Sequence, residues 1–279
     1  MAGPKFQLVA FPEVYALPGR PGSGSQAMKD AHRQTSFLLA DDLALLERAM
    51  NSQLRIVAEN AKAKGTHTAA LLTLWSRTFS HLADAVASIS VASYASAPLL
   101  LRGALDCIAV QRSLIADGFA EYETWYAGGI GKQGTALSVE LGHYRAASVL
   151  AEDDRLGLLY RLLSALAMPH FGSTLLLTSP DSGENKIVAG FADSTFHLAW
   201  AEVTLGLALQ LGAAQIETVR STDVLALSDE AAADCDAVTR AVASALASSR
   251  RCYVEQQADR FTFHNFRRTA TGQPRRIIL

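Results

Sequence analysis

Apolar residues in this chain of 279 residues recur at steps of three and four over long stretches, the period of a helix with one buried face. Leu39, Leu43, Leu46, Met50, Leu54 and Val57 mark such a face within residues 26–65, which predicts one long helix, or two joined near Asp41, ending at Gly65. Further helices are expected over 66–93 and 98–115, the latter with Pro98 suited to a first turn. Gly118 separates the next, and "AGGIGKQG" invites a break before another at 135–151. "DDRLGLLYRLLSALAM" opens on acids and closes before Pro169. The irregular segment 169–191 allows a hairpin of "TLLLT" and "KIVAG" around "SPDSGEN". Asp193 or Ser194 caps a helix to about 218, and Ser228 with Glu230 opens the last, to about 257. The pattern as a whole reads as an all-α helical bundle, with at most one short β-hairpin between His170 and Phe191. Residues 1–25 are expected as an extended arm, 26–257 as a single helical-bundle domain and 258–279 as a basic tail with a mobile "TATGQPRR".

Composition narrows this picture. Hydrophobic residues make up 49% of the chain and charged residues 19%, ample for a sizeable core. The net charge of −2 gives no whole-chain argument for a nucleic-acid binder. The charge is uneven: from position 250 onward seven arginines face Glu255 and Asp259, so the rest of the chain carries about −7. Those arginines interleave with Tyr253, Phe261, Phe263, His264 and Phe266, a mixture suited to base stacking, but the acidic balance of the rest favours docking of this segment on the bundle or on a second subunit. Three cysteines, Cys107, Cys235 and Cys252, have no metal-like spacing and point to reduced thiols and a cytoplasmic protein. The mean hydropathy is +0.14, but the most apolar windows, 91–110 and 196–216, contain Arg102 and Asp106, and Glu202. Both therefore read as buried core helices rather than membrane spans. Pro12 and Pro18 interrupt any apolar leader core in the first 25 residues.

Within "PLLLRGALDCIAV" (98–110) two charges stand among apolar and small residues. Arg102 and Asp106 are four apart and share a helical face. If the pair is partly buried, arginine's five donors need more partners than one aspartate supplies, and removing one partner costs about 3–5 kcal/mol. The pair is expected to act as a structural clamp fixing helix register or to face a polar cavity that takes an anion or substrate, with a solvated face as the remaining reading.

"LLLRGALDCIAV" resembles the "LLRS-LLE-A" helix of a widespread family of bacterial helical proteins grouped with the HEPN superfamily, with Asp106 where that family has glutamate. "LWSRTFSHLADAVASISVASYASAP" resembles the element before that motif. "YRLLSALAMPHFGS" resembles its tyrosine–serine–histidine segment, matched by Tyr160, Ser164 and His170. The resemblance spans about 71–173. It implies a HEPN-like bundle that binds nucleotides or, in many members, cuts RNA. The ribonuclease signature is an arginine followed after four to six residues by histidine. Arg77–His81 and Arg260–His264 have three intervening residues and depart from it, although Arg77 and His81 still share a helical face, where an interhelical polar contact is the favoured expectation and action of a cation and a titratable ring on a phosphodiester the alternative.

Other chemistry is sparse. Glu140 and His143 have the Glu-x-x-His spacing of di-iron bundles, but that motif occurs once rather than twice, so no metal is expected. No Walker loop, nucleophile elbow or dinucleotide fingerprint is present, and no cofactor is expected. The candidate ligand-binding residues are Arg102, Asp106, Tyr160, Ser164, His170, Arg77 and His81. The expected function is binding of a small anionic ligand or nucleic acid in a polar cleft. The alternatives are a hydrolase or ribonuclease-like cleft and a regulatory oligomer such as a toxin–antitoxin or phage-defence component. The expected partners are a second copy of the chain, a small anion or, less favoured, nucleic acid, and no membrane.

Overall fold

A computed structural model describes residues 7, 8, 10–142, 147–183 and 185–279. In chain order they form α1 (Gln26–Leu38), α2 (Ala40–Glu59), α3 (Thr66–Ser90), α4 (Ala97–Ala116), α5 (Ala120–Gly129), β1 (Ile130–Gln133), β2 (Ala136–Val139), α6 (Ala147–Glu152), α7 (Asp154–Ala167), α8 (Phe171–Thr178), α9 (Leu198–Arg220), α10 (Asp229–Leu246), β3 (Tyr253–Gln257), β4 (Arg260–Phe266) and β5 (Arg275–Ile278). Helix α9 is the axis of the bundle. Every residue from Leu198 to Leu209 is buried, and α2, α3, α4 and α10 pack around it. This placement explains the apolar window at 196–216: a helix covered on all sides has no polar face. Among the described residues no helix is long and apolar enough to cross a membrane.

Several polar side chains inside the bundle are paired, as burial favours. Gln111 of α4 and Gln215 of α9 exchange amide hydrogen bonds at 3.0 and 2.9 Å. The indole N–H of Trp75 on α3 donates to Gln53 Oε1 of α2 at 2.7 Å. The arm before α1 lies along α2, where Tyr15 N–H donates to Asn51 Oδ1 at 2.8 Å and Leu17 N–H to Glu47 Oε1 at 3.2 Å.

The all-α expectation does not hold. The chain is mostly helical, but its described residues also form two antiparallel sheets, β1-β2 and β3-β4-β5. The glycines of "GGIGKQG" end α5 and build a hairpin that turns at Gly134, whose φ of 62° suits glycine. Among the described residues of 135–151, strand β2 and the short α6 stand in place of the one helix expected. The hairpin expected between His170 and Phe191 is absent as strands. "TLLLT" belongs to α8, and among the described residues of the segment an isolated Gly183–Lys186 bridge is what remains of the pairing. Helix α10 stops at Leu246, eleven residues short of the expected end, because "ASSRR" has no apolar residue at the next core positions. From there the apolar period changes from 3.6 to 2.

The residues expected as a tail, 258–279, contribute β4 and β5. Phe261 and Phe263 alternate into the core. A bulge between Phe263 and Phe266 adds one residue against β5, which returns Phe266 to the same face. Asn265 occupies the left-handed region there, at φ 55°, and donates to the Ser249 carbonyl at 2.6 Å. The rings of Phe263 and Phe266 meet Trp200 edge-on at 5.8 and 5.7 Å. The same segment caps α9, since Leu198 and Ala199 N–H donate to the carbonyls of Arg268 and Arg267 at 2.9 and 3.0 Å. The C-terminal sheet is therefore part of the core. Phe263→Ala is expected to cost about 3–5 kcal/mol, read as a lower midpoint in urea unfolding. A loss under about 1 kcal/mol would mean that the sheet is dispensable.

Candidate functional site

The charged pair in α4 is a clamp between helices. Arg102 Nε donates to Asp106 Oδ1 at 3.1 Å, its guanidinium lies 3.6 Å from the centre of the Tyr160 ring, and Nη1 donates to Ser164 Oγ. Tyr160 and Ser164 are one turn apart, so one arginine ties α4 to α7 by a cation–π contact and a hydrogen bond. The Arg102 side chain is 17% exposed and that of Asp106 51%, so the aspartate keeps its water. On the other flank of α4, the His81 ring lies over Gly103, where an added Cβ would stand 3.0 Å from Nε2. Arg77, one turn earlier, acts electrostatically on the Cys107 thiol.

Six of the seven candidate residues thus gather along the outer side of α4, between α3 and α7. His170 does not join them. It is the exposed N-cap of α8, where its carbonyl accepts from Ser173 Oγ at 3.1 Å and Thr174 N–H at 2.9 Å. Cavities of about 310 to 560 Å³ occur elsewhere, and none of the seven residues lines any of the five described. Glu140 makes backbone contacts, donating to the Gly129 carbonyl and accepting from the Trp125 indole at 2.9 Å; its spaced partner His143 lies outside the described residues.

The more built polar site lies at the seam between bundle and C-terminal sheet. Arg251 is 9% exposed. Its Nη2 donates to the Glu202 carbonyl at 2.9 Å and lies 3.0 Å from Asp42 Oδ2, while Nη1 reaches the Ala245 carbonyl at 3.4 Å. One guanidinium therefore joins α2, α9 and α10. It crosses α9 at Gly206, where a Cβ would stand 3.0 Å from Nη2. The Glu202 carboxylate accepts the Cys252 N–H at 2.7 Å and faces Arg267 Nη2 at 3.9 Å. Burial pushes the Glu202 carboxyl above its usual range, against the opposing pull of that N–H and of Arg267 and Arg251.

A cavity of about 390 Å³ opens on this cluster, lined by Arg250, Arg251 and Arg267, by Asp41, Asp42 and Glu202, and by Phe37 and Leu38. Arg267 Nη2 donates to the Arg250 carbonyl at 3.0 Å, but its buried Nε has no acceptor among the described residues. Arg250 is exposed and forms no ion pair among them. Sequence reasoning misses this site. Its signals are the lone glutamate in the apolar window and the adjacent arginines after the alanine-rich helix, neither of which reveals a partner more than 40 residues away.

A second missed residue is His197, the N-cap of α9. It is 3% exposed, and beyond a contact of the ring with its own backbone neither ring nitrogen has a hydrogen-bond partner among the described residues. Burial, with the Arg275 charge nearby, pushes it down from the ordinary 6.5 to about 4.

The chain matches no family model, no curated protein and no solved structure.

Two outcomes follow from these contacts. Arg102→Met is expected to cost about 1–2 kcal/mol, from the lost cation–π contact and Ser164 bond, and Asp106→Asn within about 0.5 kcal/mol; chemical denaturation measures both. Folded His197 stays neutral where unfolded His197 takes a proton, so its contribution is fully present above about pH 6.5 and is lost as pH falls toward about 4. The loss is on the order of 3 kcal/mol. Stability measured across that window in wild type and His197→Phe should show the slope flattened in the variant.

Proposed function

We propose that this protein binds a small ligand bearing an anionic group, seated in the arginine cavity at the seam. The observation that carries the reading is the buried Arg267 Nε, which lacks an acceptor among the described residues although its Nη2 faces Glu202, beside the exposed Arg250, which forms no ion pair among them; both residues line one cavity. A buried donor without a partner is costly, and a charge-assisted acceptor removes that cost. Phe37, 80% exposed at the rim, supplies apolar surface for the rest of the ligand. The lining also holds Asp41, Asp42 and Glu202, but Asp42 is paired with Arg251 and Glu202 accepts the Cys252 N–H, which leaves Arg250 and Arg267 as the groups open to an anion.

Isothermal titration of the full chain with phenyl phosphate and with benzoate tests this. Phenyl phosphate is expected to bind more tightly than about 1 mM, and the exposed substitution Arg250→Gln to weaken it about tenfold. Absence of saturable heat with either probe would overturn the reading. A ten-nucleotide RNA that binds more tightly than either, with steep salt dependence, would replace it with a nucleic-acid site.

A further inference from the structure

We propose that the cavity between the α3–α4 corner and the start of α9 is a separate site for a small uncharged molecule that presents a hydrogen-bond donor and acceptor side by side, of the amide or lactam type. The cavity holds about 310 Å³, and its lining includes Ala92, Tyr94, Ala192, Thr195, His197 and Trp200. That volume is at the small end of ligand sites.

Two kinds of observation meet there. The first is unmet hydrogen bonding. Beyond a contact of the ring with its own backbone, neither nitrogen of the buried His197 ring has a hydrogen-bond partner among the described residues, although buried polar groups are nearly always paired. A neutral imidazole offers one donor and one acceptor, and a small turn of the ring toward the cavity it lines presents either. Tyr94 Oη accepts the His197 N–H at 3.4 Å and donates to no group among the described residues, leaving its proton for a guest. The second is backbone strain. Ala92 and Ala192 have φ of 58° and 51°, a region that residues other than glycine seldom occupy. Both line this one cavity, and such strain collects where a ligand is clamped.

The surrounding charges select an uncharged guest. Burial and the Arg275 charge keep His197 neutral and weigh against a cation in the same space. The Asp193 carboxylate at the rim, which accepts from the Thr195 N–H at 2.9 Å and from its hydroxyl, opposes an anion. The aromatic surfaces of Tyr94 and Trp200 suit the apolar body of a small planar molecule. This site shares no lining residue with the arginine cavity, so the two stand or fall separately.

The test uses full-length protein labelled with ¹⁵N-histidine, with the imidazole nitrogens of His197 assigned by their loss in His197→Phe. The probes are 2-pyridone, δ-valerolactam and acetamide, with inorganic phosphate and N-methylpyridinium as charged controls. The expected result is saturable shifts of the His197 nitrogens with at least one neutral probe below about 1 mM, and none with the controls. Tyr94→Phe, which keeps the ring and its packing, is expected to weaken that binding several-fold. Silence of His197 toward all three neutral probes up to about 10 mM would overturn the proposal. So would saturation by either charged control, or unchanged affinity in Tyr94→Phe.

Discussion

The fold turns on one buried guanidinium. Arg251 bonds to Asp42 of α2, to the Glu202 carbonyl of α9 and to the Ala245 carbonyl of α10, three helices whose sequence positions span more than 200 residues. A charge buried in this way is tolerated only when its donors are met, so its position fixes those helices relative to one another. Glu202 completes the arrangement by taking the Cys252 N–H, which places β3 against the bundle. Gly206 leaves the gap through which the arginine passes.

The same junction accounts for the C-terminal sheet. With β3 held at Cys252, β4 runs back over α9, and its phenylalanines pack on Trp200. The carbonyls of Arg267 and Arg268 then meet the first free N–H groups of α9. Helix, sheet and arginine cluster are one unit, and both proposed cavities lie against it. The arginine cavity shares Glu202, Arg251 and Arg267 with that unit, while the His197 cavity opens at the capped start of α9.

Legibility in the sequence follows the range of the interaction. Periodic helices such as α2, and the capping residue Ser228 of α10, are readable because their determinants lie within a few turns. The Arg102–Asp106 pair is readable too, and Tyr160 and Ser164, grouped with it in sequence, meet Arg102 in the structure, whereas His170 does not. The sheets are less readable. "GGIGKQG" reads as a break until β2 supplies a partner, and "RFTFHNF" reads as a tail until Trp200 supplies a surface. A strand satisfies its hydrogen bonds only through another segment.

The sequence by itself determined that this chain is mostly helical, that its apolar windows are core helices, and that Arg102 and Asp106 share a face. Each of these follows from local periodicity, in which side-chain direction is set by backbone geometry alone. The tertiary structure decided that the arginine-rich end folds inward, that Arg251 rather than Arg102 stands at the centre, and that His197 is buried with its ring nitrogens unmet among the described residues. Those outcomes depend on desolvation and on partners distant in the chain, and the free energy of a buried polar group is set by what surrounds it rather than by its neighbours in sequence.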